Sequence, residues 1–268
     1  MKNILIFVFA AFCLFPASAQ DRVFARTEQS NTLPKGVREI ETWNTVRLVR
    51  NSYYSSLRQR IEFETGLTNR VQTSVYINVD NKSYSNAGDS TNQKFKSTTF
   101  SVSNEWKIKF SDPVVNGIGS CFYSEITWAP DELELEPKII LDKQFGKHLL
   151  AFNAVTELEF ELEQEGGTLK ANLEATPISL YNAYMYQFSP TFGLGFETLN
   201  HMEIVPGKGI EHAAFLAGPS IQYTSGKAFF ILNFLPQLVN LNQAKVAGAL
   251  DLDEYERFNI RLVMGYGL

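Results

Sequence analysis

The chain is short of cysteine, of histidine and of long apolar runs, and each shortage excludes something. Of its 2 cysteines, Cys13 lies inside the apolar stretch from Ile4 to Phe15, which follows Lys2 and leads into Pro16-Ala17-Ser18-Ala19 and then Gln20. A positive start, a short apolar segment and an Ala-x-Ala site predict a secretory signal at 1–19, cleaved after Ala19. The run falls short of the ~20 apolar residues of a spanning helix. Phe12, directly before Cys13, does not fit the small residue that lipid attachment needs, so Cys13 leaves with the signal. Cys121 is then alone, which excludes an intrachain disulfide or a cysteine metal cluster in the mature chain. Beyond Gln20 no apolar run approaches a helical span, so the mature protein either is soluble or crosses a membrane as strands. Positive charge is not in excess either: without Lys2, 23 basic residues stand against 29 acidic ones. Nothing here favours nucleic acid. A Gly-x-Ser-x-Gly elbow, a phosphate loop and a zinc helix motif are all missing.

What the chain does have is alternation. From Leu149 to Glu163, one set of positions reads Leu150, Phe152, Ala154, Thr156, Leu158, Phe160, Leu162; the other reads Ala151, Asn153, Val155, Glu157, Glu159, Glu161, Glu163. Period two puts these sets on opposite faces of an extended strand, one apolar and one acidic. Membrane-barrel strands need about 9–11 residues and tolerate charge only on the face toward a wet lumen. On this facing Leu158 meets lipid and Glu159 the lumen. Aromatics at 13% with a mean hydropathy of -0.13 suit such a wall, whose two faces cancel in the average.

In chain order, Gln20 to Gly36 reads as a periplasmic lead-in. The barrel domain, 37–268, then carries about twelve strands: Arg38 to Val49, Ser55 to Thr65, Arg70 to Val79, Ser97 to Phe110, one ending near Ala129, Glu132 to Lys143, the acidic strand above, one from Thr168, Thr191 to Asn200, one to Thr224, Lys227 to Leu235, and a last one to Leu268. Long connections follow the third, ninth and eleventh strands, whereas Gly66-Leu67-Thr68-Asn69, Gly146-Lys147, Ser189-Pro190 and Ser225-Gly226 are short turns. Short periplasmic turns alternating with longer outer loops, with both termini periplasmic, is the asymmetry of outer-membrane barrels. Trp128 stands where an interfacial aromatic is useful. The long loop Pro236 to Glu254, with Leu238, Val239, Leu241, Val246 and Leu250, is too apolar for simple exposure and is expected to fold inward or cover the mouth. The loop Asp80 to Lys96 is polar and solvated.

Strand parity sends a set of charges into the lumen: Arg58, Arg60, Glu62, Glu64, Glu105, Lys107, Lys109, Glu132, Glu134, Glu136, Glu157, Glu159, Glu161, Arg257 and Arg261. Rings of charge choose the sign of permeating solutes. Their near balance of signs equally suits cross-strand pairing that fills a small barrel. The strip Glu157, Glu159, Glu161 beside Glu132, Glu134, Glu136 is the local exception and attracts cations. An enzymatic reading rests on His201 and His212 flanking one outer loop, with Glu197 on the His201 face and Ser220 or Ser225 nearby; a hydrolase requires such groups within hydrogen-bond reach.

The segment Leu33 to Val79 resembles the start of the outer-membrane barrels of the MetA-pathway phenol degradation family, which are transporter-like. Leu33-Pro34-Lys35-Gly36, Glu39, Glu41 and Glu62-Phe63-Glu64-Thr65-Gly66-Leu67-Thr68-Asn69-Arg70-Val71-Gln72 carry the resemblance, which implies a barrel of this size and no catalytic residue. The expectation is an all-β, up-and-down transmembrane barrel of about twelve strands in the outer membrane of a diderm bacterium. It would be a monomeric, porin-like pore or transporter-like protein for small solutes, without cofactor or metal, contacting outer-membrane lipid and the barrel assembly machinery. An outer-membrane lipid or peptide hydrolase and a closed structural or adhesive barrel are the alternatives.

Overall fold

The computed structural model describes residues 22–86, 93–245 and 247–268. The expected signal, and Val246 of the long loop, lie outside the described residues. Thirteen strand segments form one antiparallel sheet: β1 (Arg38–Leu48), β2 (Tyr54–Gly66), β3 (Val71–Tyr84), β4 (Phe95–Ser111), β5 (Gly119–Trp128), β6 (Glu132–Phe145), β7 (His148–Thr156), β8 (Leu158–Glu165), β9 (Thr168–Ser189), β10 (Phe192–Val205), β11 (Gly209–Ser225), β12 (Ala228–Asn240) and β13 (Phe258–Gly267). β7 and β8 both pair with β6 on one side and β9 on the other, in one continuous register against β6, so they are two halves of one strand and the barrel has twelve. The break falls at Glu157, opposite Pro177 of β9 and one position on from Thr156, which stands opposite Pro137 of β6; neither proline has an N–H to give the ladder. Glu157 N–H still reaches the Pro177 carbonyl at 2.9 Å. Pairing of β1 with β13, from Glu39 opposite Gly267 to Leu48 opposite Phe258, closes the sheet and leaves no edge.

The polarity is that of a soluble protein turned inside out. Ile61, Val75, Ile77, Phe100, Val102 and Phe110 are exposed on the outer face, while Glu62, Glu64, Ser74, Asn78 and Glu105 are buried inside. Lipid is the surrounding that such an outer face requires. The start of β1, the C-terminus and the short turns share one end of the barrel: the Leu268 N–H bonds the Arg38 carbonyl at 2.9 Å, and β2–β3, β6–β7, β9–β10 and β11–β12 turn there. The longest connections, 85–94 and 241–257, lie at the other end.

Four boundaries differ from the sequence reading for physical reasons. β10 runs on to Val205, which pairs with Gly209 of β11, so the connection after the ninth strand is a short turn, 206–208, and not a long loop. β3 runs on to Tyr84 and β4 starts at Phe95, because Asn81, Lys82 and Ser83 pair with Thr98, Ser97 and Lys96 above the lipid-facing belt. β12 passes through Pro236 to Asn240, since the β11–β12 register shifts there and Gly218 leaves the proline ring room. As a result Leu238, Val239 and Leu241 stay on the outer face. The loop does turn inward, but through Asp251, Tyr255 and Glu256 rather than its apolar residues.

The segment read as a periplasmic lead-in is the largest departure. Arg22 to Leu33 is folded back into the lumen, with Phe24, Ala25 and Ser30 fully buried. Leaving the barrel it crosses Gly66, which bonds Gly36 N–H at 2.8 Å through its carbonyl.

Candidate functional site in the barrel lumen

Glu197 fixes the inserted segment. It projects inward from β10, and its carboxylate accepts from the backbone N–H groups of Ala25 (3.0 Å), Arg26 (2.8 Å) and Thr27 (3.0 Å). It also accepts from Thr27 Oγ1 (3.2 Å), Ser220 Oγ (2.9 Å) and Asn233 Nδ2 (3.1 Å). A segment without secondary structure needs partners for its buried backbone, and one charged acceptor supplies three of them. Asn153 of β7 supplies two more, taking the Glu28 N–H at 2.6 Å and donating to the Glu28 carbonyl at 3.0 Å. Ion pairs complete the seat: Arg22 with Glu28 (2.8 Å) and Glu41 (3.2 Å), and Lys107 with Glu28 (3.6 Å). Arg22 also lies 4.2 Å over the Trp43 ring, whose Nε1 donates to Glu41 at 2.6 Å. The carboxylates of Glu41 and Glu62 face each other across β1 and β2, as do Glu39 and Glu64, and the inserted guanidinium offsets that like-charge repulsion.

Above this plug lies a cavity of about 470 Å³, floored by Arg26 and Glu28. Its charges are segregated. One wall carries Arg47 of β1, Arg58 and Arg60 of β2 and Arg261 of β13; the facing wall carries Glu125 of β5, Glu132, Glu134 and Glu136 of β6, Glu157, and Glu159 of β8. Among the described residues eight basic and twelve acidic ones line it, so the cavity is acidic in sum and polarised across its width. One bond crosses it and the others run along its walls. Arg60 pairs with Glu125, Arg58 with Asp80 at 3.4 Å, Arg47 with Glu256 at 3.7 Å, and Lys138 with its neighbour Glu136 at 3.0 Å.

Of the sequence-predicted charges, Arg58, Arg60, Glu132, Glu134, Glu136, Glu157, Glu159 and Arg261 line this cavity. Glu62, Glu64, Glu105 and Lys107 are buried lower, around the plug. Three stand apart. Glu161, opposite Glu132, is out at the exposed rim; Lys109 turns to Asp112 at 3.8 Å; and Arg257 is exposed over the ring of Phe258, at 5.3 Å. Arg257 precedes β13 and belongs to the loop, so strand parity does not reach it.

The hydrolase grouping is not assembled among the described residues. Glu197 is taken up by the plug and by Ser220, Ser225 ends β11 near the short-turn rim, and His201 Nδ1 meets Ser179 Oγ at 2.9 Å. His201, His212 and Tyr255 instead pack ring on ring, with centroids 5.0 to 5.5 Å apart. Burial, reinforced by Glu256, raises the Tyr255 phenol above its ordinary range and keeps it neutral. Sequence reasoning missed Arg26, Glu28, Asn153 and Ser179. The last two are polar residues on lumen faces, a weak signal, and the first two sit in a stretch without periodicity.

The same architecture recurs among solved structures. The COG4313 outer membrane channel from Pseudomonas putida F1 is similar with a TM-score of 0.64 at 10% identity, over 89% of this chain and 98% of that one. The NanC porin follows with 0.54 at 8% identity, over 85% and 100%. The β domain of the Bordetella autotransporter Brka gives 0.56 at 10% identity, over 87% and 100%. At these identities the likeness is one of fold, and that fold is the outer-membrane β-barrel. No curated protein matches the chain. A family model described as "Family of unknown function (DUF6662)" matches residues 16–268, and the chain belongs to that family.

Proposed function

We propose that the protein is an outer-membrane channel for small hydrophilic solutes, held shut by its own N-terminal segment and opened when that segment leaves the lumen. The observation that carries this reading is the division of the lumen into an open, charge-lined vestibule and a plug seated by polar contacts. A plug held by hydrogen bonds and ion pairs is releasable into water, where its polar groups find new partners, in a way that an apolar core is not. The acidic sum of the vestibule favours cations, and its facing arginine and glutamate walls favour solutes that carry both signs. The fold likeness to an outer membrane channel and to a porin, and the resemblance of Leu33 to Val79 to the MetA-pathway phenol degradation barrels, support a transporter-like role. In this reading the signal at 1–19 exports the chain, the barrel assembly machinery inserts it as a monomer into outer-membrane lipid, and both termini face the periplasm.

Proteoliposome swelling tests this directly. Liposomes carrying the Glu197→Ala chain are expected to swell in small sugars and amino acids several-fold faster than those carrying the unaltered chain. Equal, negligible swelling for both, with both folded, would instead support a closed structural barrel.

A further inference from the structure

His201 and Glu203 are two apart on β10 and therefore share its lumen face, and His212 of β11 stands directly opposite Glu203. One donor atom from each of the three lies within 4.8 Å of the others. His212 is only 5% exposed, and neither of its ring nitrogens makes a hydrogen bond among the described residues; Nε2 points to Glu203 Oε2 at 3.6 Å. Leaving a buried imidazole without a partner is costly, so the arrangement is complete only when something accepts or replaces those contacts. His201 has the complementary order: its Nδ1 is held by Ser179 at 2.9 Å, which leaves Nε2 as its remaining donor atom. A ligating histidine is oriented in this way by a bond to its other nitrogen.

We infer that His201, Glu203 and His212 bind a borderline late first-row dication, of which Zn²⁺ and Ni²⁺ are the models, with water completing its coordination. Two imidazoles and one carboxylate around an open position suit that class of metal, whereas Ca²⁺ and Mg²⁺ take oxygen sets. Metal–ligand bonds of about 2.1 Å put the donors about 3.4 Å apart, so the set closes by about an ångström. Side-chain rotation on a rigid strand pair supplies that. Glu211 and Glu254 line the same part of the vestibule and favour a cation; Arg47 and Arg50 also line it and oppose one. Tyr255, brought in by the long loop, covers both rings and ties the site to that loop. The inference does not depend on whether the lumen conducts.

The test uses the tag-free mature chain, refolded in detergent and shown to be folded by heat-dependent gel mobility. Calorimetric titration with Zn²⁺ is expected to give one equivalent, unaffected by millimolar Ca²⁺ or Mg²⁺. His212→Asn and His201→Gln are each expected to weaken binding at least 100-fold, and Ser179→Ala about 10-fold, as loss of an orienting partner does. Undiminished binding in the double histidine variant, or no binding to the unaltered chain, would overturn the assignment. Should the variants fail to fold, diethyl pyrocarbonate on the unaltered chain decides: Zn²⁺ is expected to shield His201 and His212 while His148 reacts as before, and equal modification of all three with and without Zn²⁺ refutes the site.

Discussion

Replacing Glu197 by alanine separates the plug from the barrel energetically. The substitution strands three plug amides, one plug hydroxyl and the side chains of Ser220 and Asn233. Each buried donor left without its acceptor costs about 1–3 kcal/mol. Removing the carboxylate also relieves its own desolvation, and water can enter the gap, so the net loss is smaller than the sum. About 3 kcal/mol is a moderate figure and lies at the lower end of what breaking a buried charged partnership costs. At about 1.4 kcal/mol per factor of ten, opening of the plug becomes about 100-fold more frequent. Amide exchange followed by mass spectrometry reads this directly, because exchange through local opening scales with the open population. The peptide covering 22–33 is expected to exchange about 100-fold faster, with peptides from β3 and β4 unchanged and Glu159→Gln behaving like the unaltered chain. An unchanged rate for 22–33 would refute the seat assigned to Glu197. Uniform acceleration of every strand would refute its independence from the wall.

Ile77, exposed in the middle of β3, faces lipid, so Ile77→Arg is expected to cost about 2–4 kcal/mol and to lower the yield of heat-modifiable barrel in vesicles, where Glu159→Gln does not. Gly66 has no room for a Cβ, which would fall 2.3 Å from the carbonyl oxygens of Leu33 and Pro34. Gly66→Ala is therefore expected to push the exit of the plug outward, raising exchange in 22–36 while β5 to β13 keep their protection. In the turn after β4, the N–H of Val115, against the opposing effect of burial and with help from Val114 and Lys109, holds the Asp112 carboxyl below its ordinary value. The stabilisation this gives is complete above the unfolded-chain value and is lost as pH falls through the lowered one. Exchange at Val114 and Val115, corrected for the intrinsic pH dependence, is thus expected to stay flat above the ordinary carboxylate range and to rise only in stronger acid; a rise near neutrality would contradict it.

Much of the wall was legible because a barrel strand meets two unlike surroundings and must alternate. Leu150, Phe152 and Leu158 against Ala151, Asn153 and Glu159 announce their faces without any tertiary information, and turns such as Gly146-Lys147 mark where register is set. The halves β7 and β8 were read as one strand, and only the flanking prolines interrupt the ladder. Pro236 misled for the converse reason: a proline reads as a stop, and only the paired β11, with its register shift and Gly218, reveals room for it. The plug was illegible on physical grounds. Segments are ordinarily recognised as buried by apolar periodicity, but a lumen is polar, and Arg22, Arg26 and Glu28 are held in it by ion pairs and hydrogen bonds rather than by the hydrophobic effect. Such a segment reads as a solvated leader. The cavity charges were partly legible, since parity located Glu134, Glu157 and Arg60; it could not tell that Glu62 and Lys107 lie beside the plug, nor place Arg257, which precedes its strand. The histidine site needed the register of β10 on β11, which a bulge after Glu203 sets and periodicity alone does not reveal.

The most direct measurement is single-channel conductance in a planar bilayer, comparing the mature chain with one lacking residues 22–33. The account predicts rare, brief openings for the full chain and steady, cation-preferring conductance once the plug is removed, with the preference weakened by Glu157→Gln and Glu159→Gln together. A full-length chain that conducts steadily, or a folded plugless barrel that never conducts, would contradict it.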